Sequence, residues 1–427
     1  MLDWSSEQEG RLMTPVDCAK QKVSAVIDTI NSVRELDFPY EPPREAVDFI
    51  RNIFSDHLQH LDGISAGGTA ARTMCRQVSE DIDNFLLAVG FMVRACDNHG
   101  ALELQRPLMR LTHRAIAPQI KLIISSDWRF SPFTLLYPGE FGDKFVLVGL
   151  PISEASNPLI APLAGHELGH NIWRRLPAFN VHISEQVKSK VTETIKSGLW
   201  EEFSKAFNLK NKEDIDQDDL FGAISPWQLA KVWALSHCEE MFCDFIALTI
   251  FGEGYLHAFQ YLISPGGGFR NPTYPSMRDR IAALVVACQG IGLTVSRGFS
   301  EEFDESDVSS DHRQQLLLQV SDDVSRSLTT DLAEAAKTWC EQRGVINRNP
   351  NDVNRIVSLF KRVIPATGAE SLADIINAAW CIYLDPVNPW EHDYPITNKP
   401  ERRASLTREL ALKSFEVFEI ERTQEDT

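Results

Sequence analysis

Residues 166 to 170 read His-Glu-Leu-Gly-His, and this pentapeptide constrains the local fold more than any other stretch of the chain. On a helix, His166 and His170 stand one turn apart on one face, so both imidazoles can reach a single metal ion. Glu167 projects from a neighbouring angle, where its carboxylate can take a proton from metal-activated water. The pattern points to a zinc hydrolase, a peptidase first of all, with one Zn2+ per chain. With 11 His among 427 residues, such a string arises by chance in roughly a few per cent of comparable chains. The reading therefore needs a third ligand.

That ligand is sought on a second helix. Pro158 and Pro162 suit the opening turn of the metal helix and Pro177 marks its end. Further on, Ser225-Pro226-Trp227-Gln228 is a helix start, with Ser225 as cap and Gln228 completing a capping box, and Gly252 is the stop. Between Trp227 and Phe251 the chain is apolar except for one polar cluster, in which His237, Glu240 and Asp244 fall on a single helical face. Ionisable groups on an otherwise buried helix are costly unless paired or bound to metal. Glu240 is the expected third ligand. Asp244 is expected to receive the free ring N–H of His166, and Glu239 to do the same for His170 or else to be the ligand itself. His237 reads either as a further outer partner or as a satisfied core histidine. Cys238 and Cys243 read as small apolar packing.

The rest of the chain predicts an α+β fold that is predominantly α-helical. Helical patterns cover about 16–35, 43–61, 70–96 and 101–116. The period then changes: Gln119–Ser126 and Lys144–Leu150 are short, β-branched and apolar, as strands are, with a loop or irregular hairpin between them. Polar helix follows at about 183–207, and helical patterns recur at about 312–343, 351–363, 368–383 and 404–422. The expected units are an N-terminal helical region at 1–118, a metal-bearing core at 119–299, an exposed acidic linker at 300–311 and a C-terminal helical region at 312–427.

Composition narrows the function classes. A net charge of −18 disfavours general nucleic-acid binding, which needs clustered Lys and Arg. The opening MLDWSSEQEG has no basic region followed by an apolar core, and the apolar run from Ile281 to Val295 is too short to span a bilayer. Eight cysteines without a CxxC pair fit reduced thiols, and a cytoplasmic location is expected.

His166-Glu167-x-x-His170 followed by Glu240-x-x-x-Asp244 resembles the gluzincin metallopeptidases. The gap of about 70 residues and the later Tyr274-Pro275-Ser276-Met277-Arg278-Asp279-Arg280-Ile281 resemble the branch containing the heat-shock membrane peptidases and the prenyl-protein endopeptidases. The resemblance covers roughly residues 140–290. It implies a zincin-like core, with a small sheet whose edge strand precedes the metal helix and pairs with extended substrate. That strand is Lys144–Leu150, so Val146, Leu147, Val148 and Gly149 are the implied substrate-binding residues. Two departures stand out: this chain has no apolar membrane span, and Tyr274 stands where the branch usually has His. Tyr274, His257 and Arg280 are the candidate donors to a developing oxyanion. The expected partner is a protein or peptide substrate, with a dedicated regulatory partner as a variant of that reading. The rival from another class is a catalytically idle scaffold that uses the same fold for binding, against which the intact Glu167 argues.

Overall fold

The computed structural model describes residues 13–65, 67–96, 102–216, 224–307, 310–345 and 347–425. Three long helices come first: α1 (Pro15–Arg34), α2 (Glu41–Gly63) and α3 (Thr69–Cys96). Their apolar residues recur at helical spacing, as in Val16, Ala19, Val23, Val26 and Ile30 of α1, and those stripes are buried together. Helix α4 (Leu102–Ala115) then leads into the sheet.

The sheet has three strands: β1 (Lys121–Asp127), β2 (Phe133–Leu135) and, after the short helix α5 (Gly139–Lys144), β3 (Phe145–Pro151). Their order is β1-β3-β2, with β1 parallel and β2 antiparallel to β3. This corrects the expectation for Lys144–Leu150. That strand is central and buried along its whole length, so Val146, Leu147, Val148 and Gly149 have no free edge to offer a substrate. Gly149 is also covered by the Phe133 ring, which a Cβ there would meet at 2.1 Å. The edges are β1 and β2: Tyr40 and Gln105 already bond the β1 backbone, which leaves the edge of β2, in the segment expected to be a loop or hairpin.

Alternation along the strands divides the interior. Leu122, Ile124, Val146 and Val148 face a large core, whereas Ile123, Phe145 and Leu147 face the core of α1–α3. The large core is built from α6 (Ala161–Arg174), α7 (Pro177–Ser197), α8 (Trp200–Phe207), α9 (Pro226–Phe251), α10 (Glu253–Ile263) and α11 (Met277–Gly290). It continues into α12 (His312–Ser327), α13 (Thr329–Gln342), α14 (Pro350–Phe360), α15 (Leu372–Leu384) and α16 (Pro400–Glu425).

The expected boundaries need adjusting in two places. Helix α4 belongs with the large core, through Leu104 and Leu108. Helices α12 and α13 pack directly on α9, so residues beyond 311 extend the same core. The acidic stretch 300–311, of which 308 and 309 lie outside the described residues, is docked: Asp304 and Asp307 bridge to Gly266 and Phe269. Among the described residues no helix is long and apolar enough to cross a membrane. All eight cysteines are free thiols.

Candidate metal centre

Two helices bring the motif residues together, and their close approach has a local cause. Helix α6 starts after a 3-10 turn at Pro158–Ile160 and takes Pro162 in its first turn, where a missing N–H costs nothing. Helix α9 starts at the expected cap: the Ser225 side chain accepts from the Gln228 N–H and Gln228 accepts from the Ser225 N–H. It ends at Gly252, whose φ of +59° disfavours any residue with a Cβ. Where the two helices meet, Gly165 and Gly169 present a stripe without side chains. A Cβ on Gly169 would fall 2.6 Å from the Cα of Cys243, and one on Gly165 would fall 2.9 Å from the Phe251 ring.

At that crossing Glu240 faces both histidines. Its Oε2 lies 3.4 Å from His166 Nε2, and its Oε1 lies 3.7 Å from His170 Nε2. The opposite ring nitrogens are already engaged. His166 Nδ1 donates to Asp244 Oδ1 at 2.8 Å, and His170 Nδ1 donates to Glu239 Oε1 at 2.8 Å. Both outer pairings are those expected from sequence. The tie to the carboxylates fixes each ring's orientation, so both Nε2 atoms face Glu240, where they could offer lone pairs to a metal ion.

Asp244 is the hub behind this arrangement. It accepts from Arg280 Nε at 2.6 Å and Nη2 at 2.7 Å, and from the Tyr255 hydroxyl at 2.5 Å, in addition to His166. Burial alone would raise its pKa, but the Arg280 guanidinium and His166 hold the carboxyl well below the usual range. Burial likewise opposes charge on His166, yet the carboxylates of Asp244 and Glu240 push its pKa up to about 10. Glu240 is lowered in spite of burial by His166, Arg280 and His170. Glu167 behaves oppositely: burial outweighs the neighbouring histidines and raises its pKa above the ordinary carboxyl value.

The donor set fits a divalent cation on two counts. Glu240 Oε2 is buried and makes no hydrogen bond. Two donors bound to a tetrahedral ion at about 2.0–2.1 Å lie about 3.3 Å apart, and the separations from Glu240 to the two rings are close to that. Charge points the same way. Four carboxylates (Glu167, Glu239, Glu240 and Asp244) gather around one guanidinium, an excess of negative charge that a divalent cation would offset. His166, His170 and Cys243 also offer ligand atoms within 4.8 Å of one another. The Cys243 thiol, however, is pushed far up by burial and by the adjacent carboxylates, which disfavours the thiolate a metal needs, and it packs against Gly169. The carboxylate is the better third donor.

The other expected residues separate. Tyr274 lies at the rim, 41% exposed, with its ring near the Arg280 guanidinium. The Glu240 charge and burial raise its hydroxyl to about 12, which keeps it a hydrogen-bond donor, and among the described residues that hydroxyl has no protein partner. Arg280 is buried with its Nε and Nη2 committed to Asp244, so it braces the site from behind. His257 is a correction: its ring packs on Trp380 and its charged neighbour is Glu253, because it points away from the α10 face that carries Tyr255. His237 is another. It is wholly buried and hydrogen-bonds the Pro272 carbonyl at 2.9 Å, touching neither imidazole. Tyr255 went unseen in the sequence, since nothing there signals that α10 folds back onto Asp244.

No family model, curated protein or solved structure matches this chain.

Proposed function

We propose that this protein is a zinc-dependent peptidase of the gluzincin type, acting on a restricted protein or peptide substrate. The observation that carries the reading is the buried Glu240 carboxylate, delivered by a distant helix to face two imidazole Nε2 atoms whose Nδ1 atoms are both held. His166, His170 and Glu240 would hold the ion, which when bound supplies the Lewis acidity that acidifies water and polarises a carbonyl. Glu167, with its raised pKa, takes the proton of the attacking water on a carboxylate oxygen and returns it to the leaving amine. The protonated Tyr274 hydroxyl donates to the carbonyl oxygen as negative charge develops there.

The substrate backbone runs along the free edge of β2. That strand is tied to the metal helix by Asn171, whose amide donates to the Thr134 hydroxyl at 3.1 Å. Restriction of substrate is supported by burial: His166, Glu167 and Glu240 are each under a tenth exposed, so a folded protein surface does not reach them.

The test is metal analysis of the purified protein together with peptide-library cleavage by wild type and Glu167→Gln. One zinc per chain in both, with cleavage reduced by several orders of magnitude in the variant, is the expected result. Equal cleavage by the two proteins removes Glu167 as the base. A metal-free protein that cleaves nothing favours a binding scaffold.

A further inference from the structure

We propose that Asp322, on α12 in the C-terminal helical region, is a positioning residue that holds the Tyr274 loop at the mouth of the metal cluster. The inference rests on the peptidase reading and adds to it a residue from a part of the chain that carries no motif.

The segment that delivers Tyr274 has little structure of its own. It follows Gly266, Gly267 and Gly268, all with positive φ, and residues 270–276 belong to no helix or strand. Such a stretch samples many conformations unless it is tied down. Asn271 supplies a local turn, accepting from Thr273 and from the Tyr274 N–H, and the Arg270 N–H donates to the Asp307 carbonyl. The side-chain ties that join the loop to the helices beneath it converge on one carboxylate. Asp322 Oδ1 accepts from Arg270 Nη2 at 2.5 Å and from the Ser276 N–H at 3.3 Å, at the two ends of the loop. Arg270 Nη2 in turn donates to the Tyr274 carbonyl at 3.3 Å. His237 Nδ1 stands 3.3 Å from the same Asp322 oxygen, while its Nε2 donates to the Pro272 carbonyl. Arg270, Pro272, Tyr274 and Ser276 are thus fixed directly, or through one intermediary, by a side chain on α12.

The cluster is nearly dry, with Arg270, His237 and Asp322 all about a tenth exposed or less, so these contacts are weakly screened. Among the described residues the hydrogen bonds to the Asp322 carboxylate come from the loop, with His237 close beneath it, and none comes from another side chain of α12. A carboxylate serving only α12 would not be satisfied in this way. Tyr274 is 41% exposed, its hydroxyl has no partner among the described residues, and its ring is steadied by the Arg280 guanidinium while its N–H donates to the Asn271 carbonyl. A donor misplaced by about 1 Å can lose most of its effect on a transition state.

The test is a double-mutant cycle on cleavage of a peptide that the wild type cuts, using Asp322→Ala, Tyr274→Phe and the pair, with metal content measured in each. Tyr274→Phe should lower kcat about a hundredfold. Asp322→Ala should lower it about tenfold or more, with KM little changed and metal retained, and Asp322→Asn should recover part of the loss. The pair should be no slower than Tyr274→Phe alone, since Asp322 acts through the hydroxyl already removed. Additive losses would overturn the proposal. Amide exchange gives a readout independent of cleavage: protection at 270–276 should fall in Asp322→Ala while α6 and α9 stay protected. Unchanged protection overturns the clamp even if no peptide is cut, whereas a wild type without metal or cleavage counts against the peptidase reading alone.

Discussion

Asp244 and Glu239 do the same job for the two histidines, and their surroundings make them unequal. Asp244 is almost wholly buried and also neutralises Arg280, whereas Glu239 is about a quarter exposed and, among the described residues, bonds His170. Replacing Asp244 by Asn leaves a guanidinium buried without its counter-charge, a loss of about 3–5 kcal/mol in unfolding free energy. It also frees the His166 ring to turn, which lowers metal affinity by about 10–100-fold. Glu239→Gln keeps an acceptor for His170 Nδ1 next to solvent, so both losses should be smaller. Denaturant unfolding and competition with a metal chelator measure the two effects. Equal losses in the two variants would mean that the rings are not oriented by these carboxylates.

At the level of elements, the close approach of α6 and α9 depends on the absence of two side chains. Gly169 lies against the Cys243 backbone, which cannot yield as a flexible side chain would. Gly169→Ala should gain helix propensity of just under about 1 kcal/mol and lose more through overpacking, for a net loss of about 1–2 kcal/mol. It should also pry Glu240 from the imidazoles and weaken metal binding, although residue 169 touches no ligand atom. A Gly169→Ala protein with wild-type stability and metal retention would refute this account of the crossing. The crossing also shows where reading from sequence stops. The two helices, the Ser225 cap, the Gly252 stop and the pairing of each histidine with its carboxylate follow from spacing and burial cost along single elements. The strand order does not. Residues 145–151 are apolar on both faces, which marks a covered strand, but nothing in them says that three residues at 133–135 close its second edge. Tyr255 and Asp322 reach the site through tertiary contacts between elements distant in the chain, and they leave no local pattern to read.

In the molecule as a whole, α9 is the axis on which the site depends, and it is covered from several directions. Helix α6 packs on the face that carries Glu240, while α12 and α13 pack on others, and Ser321 of α12 donates to the Ala230 carbonyl. Helix α9 is apolar around most of its circumference, with Ala234, Cys238, Met241, Phe245 and Leu248 all buried. A helix of that kind is stable only when fully enclosed. The acidic stretch near residue 300 has the composition of a linker, so a chain ending at 311 would look like a complete metal-binding unit on sequence grounds. The packing argues otherwise, because such a chain exposes one side of α9 and removes the anchor of the Tyr274 loop. A fragment comprising residues 1–311 should lack a cooperative thermal transition and retain no stoichiometric metal, aggregating through the uncovered surface. A soluble fragment with a sharp transition and one metal ion per chain would show that α12–α16 form a separable unit and that the large core closes without them.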